Sequence, residues 1–199
     1  MTDHVTTIHD SHRHPDPPPQ TRPVAVIDIG SSSIRMAIGE ILSDGSIRLL
    51  ESLSRDVDLG HDTFTRGRIR RKTTEGCVAV LLSYGKLLAE YDITNPDQVR
   101  VVATSAVREA TNRLEFLDRV YVATGLEIEA IDEAEVNRIT YLGVQPLIEN
   151  HPALGDAQSI VIEVGGGSTE ILLVQAGDVI HSNTYQLGSQ RLHKSLEPA

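Results

Sequence analysis

The sequence predicts an α/β protein with a mixed sheet, flanking helices and a duplicated strand-turn-strand unit. Three apolar strand runs come first, at Val24–Ile29, Ile34–Ile41 and Ile47–Val57. Strands then alternate with helical patterns, and a second set of three strands begins near Ser159. Antiparallel strands followed by alternating strands and helices are typical of a mixed sheet covered by helices.

The predicted organisation has three parts. Residues 1–22 contain several histidines and three successive prolines, a composition that cannot bury a core, so we expect a disordered leader. A first domain is predicted over residues 23–131. A second, incomplete domain is predicted over residues 132–199.

The elements of the first predicted domain follow from spacing and capping residues. Apolar positions in Lys72–Tyr91 recur at helical spacing, and the β-branched run Val99–Ala103 indicates a strand. Asn112, with Glu115 three residues on, fits a capping box variant that opens a helix ending before Gly125. Two further segments are expected to be a basic, irregular loop and a strand: Asp58–Arg71 and Leu126–Ile131.

The second predicted domain begins with a helix capped by Asp132 and running to about Leu147. Three strands follow, with a helix start after them. The strands are Ser159–Val164, Glu170–Val174 and Val179–Gln186, and the helix start follows Leu187–Ser189.

Composition narrows the class of protein. The formal net charge of −10 argues against a nucleic acid duplex as partner, because phosphate backbones are bound by basic surfaces. Cys77 is the single cysteine, which suits a reducing compartment. The sequence shows neither a signal peptide nor a run approaching the roughly 18–20 apolar residues of a membrane span. We therefore expect a cytoplasmic protein without a membrane partner.

Five basic residues form a local exception to the acidic balance. They are Arg66, Arg68, Arg70, Arg71 and Lys72. They suit either a solvated loop and helix start or a site for a polyanion, and we favour the solvated loop.

The segment Val161–Glu170 reads V-I-E-V-G-G-G-S-T-E, a strand, a glycine-rich turn and the start of another strand. Such a turn is either a bare hairpin or an anion site, since exposed N–H groups form a concavity suited to phosphate. A shift of 135 positions places Gly30 on Gly165 and Asp28 on Glu163. Two matching turns facing each other predict a ligand with phosphates held between two lobes.

Four motifs then resemble one known family. They are D-I-G-S-S-S-I-R-M, A-T-S-A-V-R-E-A-T-N, the E-x-x-R segment before Tyr141, and I-E-V-G-G-G-S-T-E. They are similar to motifs of the exopolyphosphatase/guanosine-pentaphosphate phosphohydrolase (Ppx/GppA) family. The resemblance implies ribonuclease-H-like domains of the actin-like ATPase superfamily.

The resemblance also implies roles for individual residues. Phosphate-binding loops are implied at Gly30, Ser31, Ser32 and Ser33, and at Gly165, Gly166, Gly167, Ser168 and Thr169. Mg²⁺ is implied as cofactor, with Asp28, Glu163 and Glu170 as its ligands. Catalytic roles are implied for Arg108, Glu135 and Glu170. The implied reaction is attack of water on the terminal phosphoryl group of polyphosphate or guanosine pentaphosphate.

Two positions depart from the family pattern. The family's water-activating glutamate, usually the second of two adjacent glutamates, falls on Val136, while Glu135 matches the first of the pair. The family's aspartate before the second loop is Glu163 here. The alternatives to a hydrolase are therefore a weak or inactive regulator that binds polyphosphate or a nucleotide, and an actin-like kinase or ATPase. The sequence also leaves open whether the protein forms a homodimer.

Overall fold

A computed structural model describes residues 22–151, 153–154 and 157–196, with the side chains of 193–196 excepted. The predicted leader, apart from Arg22, lies outside the described residues. The strands are β1 (Arg22–Ile29), β2 (Ser33–Ile41), β3 (Ile47–Asp56), β4 (Val99–Ala103), β5 (Ile128–Ala130), β6 (Gln158–Val164), β7 (Thr169–Gln175) and β8 (Asp178–Tyr185). The helices are α1 (Leu59–Arg66), α2 (Arg71–Glu90), α3 (Ser105–Arg108), α4 (Arg113–Thr124), α5 (Glu133–Glu149) and α6 (Ser189–Leu196).

The first sheet has five strands in the order β3-β2-β1-β4-β5. The opening meander is antiparallel, whereas β4 and β5 run parallel to β1. The carboxyl ends of β1 and β4 therefore meet at the same edge, with Ile29 paired to Ala103. The mixed sheet predicted from the sequence is confirmed, and this edge is where loops can converge on a ligand.

The core lies between the first sheet and its helices. Ile27, Ile29 and Ile34 are fully buried together with residues of α2. The hydroxyl of Tyr84, on α2, donates a hydrogen bond of 2.9 Å to the carbonyl of Ile34, so the buried phenol has a partner. Because Ile29 and Ile34 flank the β1–β2 turn, this packing fixes the position of that turn.

The prediction of an irregular loop over Asp58–Arg71 is wrong in part, because this segment contains helix α1. Leu59 is fully buried, and the Thr63 hydroxyl donates to the carbonyl of Ala106 at 2.7 Å. The helix ends at Gly67, whose φ of +71° favours glycine. Tertiary contacts stabilise this helix, which the polar sequence alone does not predict.

The predicted side-chain cap at Asn112 is wrong. Helix α4 does follow Asn112 and ends at Gly125, which has a φ of +71°. The Asn112 side chain instead accepts from the amide of Ile69 and donates to its carbonyl, both at 2.9 Å. Its amide therefore joins the segment after α1 to the start of α4 and forms no cap hydrogen bond with the first turn of that helix.

The second sheet has three antiparallel strands in the order β6-β7-β8, preceded by α5. The predicted cap is confirmed, since the Asp132 carboxylate accepts from the Glu135 amide at 2.8 Å. Three apolar side chains of β6 are exposed by 60–66%, namely Ile160, Ile162 and Val164. The β-β-β-α order of β1–β3 and α1 recurs in β6–β8 and α6, so the fold is duplicated.

None of the described helices has the length and apolar character that a bilayer crossing requires.

Candidate functional site

Loop 1 (residues 30–33) connects β1 to β2. The amide of Gly30 donates to the carbonyl of Ser33 at 2.9 Å, which closes a tight turn. A Cβ at Gly30 would stand 3.2 Å from that carbonyl oxygen, so glycine relieves the crowding. The side chains of Ser31 and Ser33 are buried, although both are polar.

Loop 2 (residues 165–168) connects β6 to β7 and repeats this geometry. The amide of Gly165 donates to the carbonyl of Ser168 at 2.9 Å, and a Cβ at Gly165 would stand 3.3 Å from that oxygen. The 135-residue repeat in the sequence is thus a repeat of backbone conformation.

The two loops lie against each other. A Cβ built on Gly166 would stand 3.0 Å from the Cβ of Ser31. One built on Gly167 would stand 2.2 Å from the hydroxyl of Ser105, the first residue of α3. Glycines in loop 2 therefore permit a close approach that any side chain would prevent.

A cavity of about 130 Å³ opens between the loops. It brings together Asp28, Gly30, Ser31, Ser32, Ser33, Arg108, Glu163, Gly165, Gly166, Gly167, Ser168 and Glu170, all predicted from the sequence. It also includes Val136, which stands where the family has its water-activating glutamate, and three residues that the sequence did not indicate: Arg35, Thr104 and Ser105. Thr104 and Ser105 directly follow β4, which runs parallel to β1. Polar residues at the carboxyl end of such a strand often line a ligand site, and this feature of the sequence could have indicated them.

Glu135 and Thr169, by contrast, do not line the cavity. The Glu135 carboxylate forms a two-point ion pair with Arg138, with both oxygens 2.7 Å from guanidinium nitrogens, and also lies 3.6 Å from Arg100. The Thr169 hydroxyl donates to the carbonyl of Leu187. At the position where the family pattern has its second glutamate, Val136 presents a hydrocarbon side chain to the cavity.

Three carboxylates concentrate negative charge in the cavity. Burial raises the pKa of Asp28, the charge of Arg35 opposes the rise, and Glu163 adds to it. Burial also raises the pKa of Glu170, against a 2.6 Å hydrogen bond from Ser168, and Glu163 again adds to the rise. Glu163 pairs with Glu170 across β6 and β7 and accepts a hydrogen bond from Thr140. The shared influence of Glu163 places the three carboxylates in one electrostatic cluster.

The cationic side of the cavity comes from Arg108 and Arg35. Nη1 of Arg108 donates to the carbonyl of Ile131 at 2.9 Å, and Nη2 lies 3.7 Å from Glu133. The carbonyl contact fixes the guanidinium while leaving other N–H groups to face a ligand. Arg35 pairs with Asp28 across β1 and β2.

The donor set suits a hard cation that arrives with an anionic ligand. Within the described residues, no group of three His, Cys, Asp or Glu side chains forms a ready-made metal cage. Mg²⁺ is commonly held by one or two carboxylates, waters and substrate phosphate oxygens. The carboxylates of Asp28, Glu163 and Glu170 line the cavity, with Glu170 buried, Asp28 half-buried and Glu163 exposed, and this oxygen donor set fits that mode of binding.

Duplicated strand-turn-strand units whose matching turns meet at one cavity form a ribonuclease-H-like fold. The chain belongs to the Ppx/GppA phosphatase family, whose model matches residues 41–197.

Solved structures agree with this assignment. An exopolyphosphatase from Cytophaga hutchinsonii is similar with a TM-score of 0.79 and 25% identity, over 88% of this chain and 54% of that one. The Aquifex aeolicus member of the Ppx/GppA family is similar with a TM-score of 0.71 and 32% identity, over the same shares. This chain therefore spans about half the length of these solved relatives.

A protein of a PilM-PilN type IV pilus biogenesis complex has a TM-score of 0.52 with 14% identity, over 87% of this chain and 64% of that one. That likeness concerns the fold alone.

Proposed function

We propose that this protein is a phosphohydrolase that releases orthophosphate from the end of polyphosphate or from guanosine pentaphosphate. The observation that supports the proposal most strongly is the meeting of two matching glycine- and serine-rich loops at one small cavity. Family membership and the likeness to an exopolyphosphatase support the same class of reaction.

The binding step uses the two loops and Arg108. Successive amide groups in tight turns form a concavity that attracts phosphate oxygens. Ser31 and Ser33 line the same cavity and add hydroxyl donors, whereas the Ser168 hydroxyl donates to Glu170. Arg108 supplies a positive charge whose planar N–H groups can pair with two phosphate oxygens. A cavity of about 130 Å³ suits the terminal phosphoryl group, with the rest of the chain or the nucleotide outside.

Mg²⁺ would be held by Asp28, Glu163 and Glu170, directly or through water. When bound, it would neutralise the charge on the phosphate oxygens. These three carboxylates outnumber the two arginines that line the cavity, Arg35 and Arg108, so phosphate without a cation would be repelled. We therefore expect binding to require the metal and the anion together.

The chemical step is displacement of the terminal phosphoryl group by water. The new bond joins the water oxygen to phosphorus, and the bond to the bridging oxygen breaks. The amides and Arg108 stabilise charge on the transferred group. The water must also lose a proton, and Val136 cannot accept it. Of the carboxylates that line the cavity, Glu163 and Glu170 are the candidates to accept it.

A second candidate function follows from Val136. The cavity keeps its phosphate-binding groups, but Glu135 is turned to Arg138 outside it. Such a site would bind polyphosphate or a nucleotide without fast turnover and serve as a regulator.

One experiment separates these functions. The full chain is incubated with Mg²⁺ and either polyphosphate or guanosine pentaphosphate, and orthophosphate release is measured beside calorimetric binding. Release above the protein-free blank supports the hydrolase. Binding without release supports the regulator, and the absence of both rejects the phosphate site.

We further propose a cytoplasmic setting, which agrees with a single, buried, unpaired cysteine. Cell fractionation tests it, and recovery with exported proteins would reject it. Light scattering on the purified chain decides whether it is a monomer or a homodimer.

A further inference from the structure

The first turn of α6 donates hydrogen bonds to the backbone carbonyl groups of loop 2. Three successive carbonyl oxygens of loop 2 accept hydrogen bonds from α6, and Gly165 O also accepts from the Ser189 hydroxyl at 3.4 Å. The pairs are the Ser189 amide to Gly165 O at 2.9 Å, the Gln190 amide to Gly166 O at 3.0 Å, and Nε of Arg191 to Gly167 O at 2.5 Å. Two of the donors are backbone groups and the third is the guanidinium of Arg191.

These bonds fix the direction in which the loop's amides point. In a planar trans peptide, the C=O of one residue and the N–H of the next lie on opposite sides. Because α6 holds the carbonyls of residues 165–167, the N–H groups of residues 166–168 are turned away from α6. Loop 2 lines the cavity, whereas Ser189, Gln190 and Arg191 do not. The amides are thereby directed to the cavity side.

Arg191 also joins loop 2 to the first half of the chain. One nitrogen, Nη2, lies 2.6 and 2.5 Å from the two carboxylate oxygens of Glu109. The guanidinium carbon lies 3.9 Å from the ring centre of Phe64 on α1. Glu109 directly follows α3, which contributes Ser105 and Arg108 to the cavity. The side chains of Arg191 and Glu109 are only 19% and 27% exposed, so water screens the pair weakly.

Loop 2 is in tight contact with the same elements. A Cβ on Gly167 would stand 2.5 Å from Phe64 and 2.2 Å from the Ser105 hydroxyl. A Cβ on Gly188 would stand 2.4 Å from the carbonyl of Gly166. Arg191 spans the approach at Gly167 through its contacts with Gly167 O and Glu109.

We propose that Arg191 is a positioning residue that sets the orientation of the loop 2 amides and the distance between loop 2 and α3. It acts on the ligand through Gly167 and Glu109. The proposal rests on the proposed function only for the choice of phosphate as the ligand. The orientation of loop 2 is a property of the ligand-free protein.

The test compares Arg191→Lys and Arg191→Ala with a matched control, Arg119→Lys. Arg119 forms a two-point pair with Glu75 at 2.9 and 2.8 Å, between α4 and α2. Lysine keeps the charge but lacks the planar fork that donates to a carbonyl and a carboxylate together. Hydrogen exchange of the amides of residues 166–168 is measured without ligand, and tripolyphosphate affinity is measured with Mg²⁺, both below the unfolding temperature.

For Arg191→Lys we expect exchange in loop 2 to accelerate about tenfold and affinity to fall about tenfold, with larger changes in Arg191→Ala. Arg119→Lys should leave both values unchanged. If exchange in loop 2 is unaltered, or if it accelerates while affinity stays at the wild-type value, Arg191 has no positioning role. If the wild type does not bind tripolyphosphate but exchange still accelerates in the Arg191 variants, the orientation of loop 2 by Arg191 is supported. Only the proposed function is then rejected.

Discussion

Glu135 and Arg138 are joined one turn apart on α5 by two contacts of 2.7 Å, which hold the Glu135 carboxylate outside the cavity. Hydrogen bonding to Arg138, followed by its charge and that of Arg100, lowers the pKa of Glu135 in spite of some burial. A carboxylate so paired is a poor proton acceptor. Glu135 is therefore held in a structural ion pair outside the cavity, and its neighbour Val136, which lines the cavity, has no group that accepts a proton.

Replacement of Val136 by glutamate should raise the rate of orthophosphate release. A positioned general base contributes about 10²–10⁴-fold, and a newly introduced one should reach only the lower part of that range. Val136→Gln is the matched control, because glutamine has nearly the same shape and accepts no proton at neutral pH. Equal rates in both variants and the wild type would show that water is activated elsewhere in the cavity.

Gly167→Ala should weaken phosphate binding. The added methyl group would stand 2.2 Å from the Ser105 hydroxyl and 2.5 Å from the Phe64 ring, so loop 2 or these two side chains must move. We expect tripolyphosphate affinity to fall at least about tenfold and unfolding free energy to fall by about 1–3 kcal/mol. Gly85→Ala on α2 is the control, since nothing lies within 4 Å of its Cβ position. That variant should gain about 0.5–1 kcal/mol and keep its affinity. Unchanged affinity in Gly167→Ala would separate loop 2 from the binding site.

Asp62 should make stability depend on acid pH. Burial alone would raise its pKa, but hydrogen bonds from Thr73 and Arg70 and the charge of Arg70 hold the pKa below its ordinary value. A group with a lowered folded pKa stabilises the protein above its unfolded pKa of about 4. That stabilisation disappears as the pH falls through the folded pKa.

Asp62→Asn should therefore lose about 2 kcal/mol of unfolding free energy at neutral pH. The difference from the wild type should shrink below about pH 4. Denaturant titrations at a series of pH values measure it, and Asp44→Asn, in an exposed turn, should show a much smaller loss. A difference that stays constant with pH would contradict the assigned charge pairing.

Cys77 should be inert in the folded protein. Burial, followed by the charge of Asp62, raises the pKa of its thiol to about 12, and the side chain is fully buried on α2. At mildly alkaline pH, its reaction with a disulfide reagent should be about a thousandfold slower in the native protein than in guanidinium. Cys77→Ser provides the blank. Rapid reaction of the native protein would mean that α2 does not pack as described.

Much of the fold could be predicted because local signals agree with tertiary packing. The apolar runs predicted for β1 and β2 end where these strands end in the structure. Helix α4 lies between the asparagine and the glycine that predicted its two ends. Helix α1 could not be predicted, since Leu59 and Thr63 are held by distant residues such as Ala106. Likewise, the sequence shows Asn112 before a helix but not that Ile69 binds its amide.

The two phosphate-binding loops of the candidate site could be predicted because the residues of each turn determine its conformation locally. The orientation of Glu135 and the contacts of Arg191 depend on groups far away in sequence. Arg100 lies 35 positions before Glu135, and Glu109 lies 82 positions before Arg191. Such pairings are properties of the folded chain and leave no periodic pattern to detect.

The central claim is that loops 1 and 2 form a single phosphate site. A crystal structure of the full chain grown with Mg²⁺ and phosphate measures this most directly. We expect phosphate between the loops, within hydrogen-bond distance of amides from residues 30–33 and 165–168 and of the Arg108 guanidinium. Phosphate that contacts one loop only, or that lies at the basic segment between Arg66 and Lys72 while the cavity holds none, would contradict the claim.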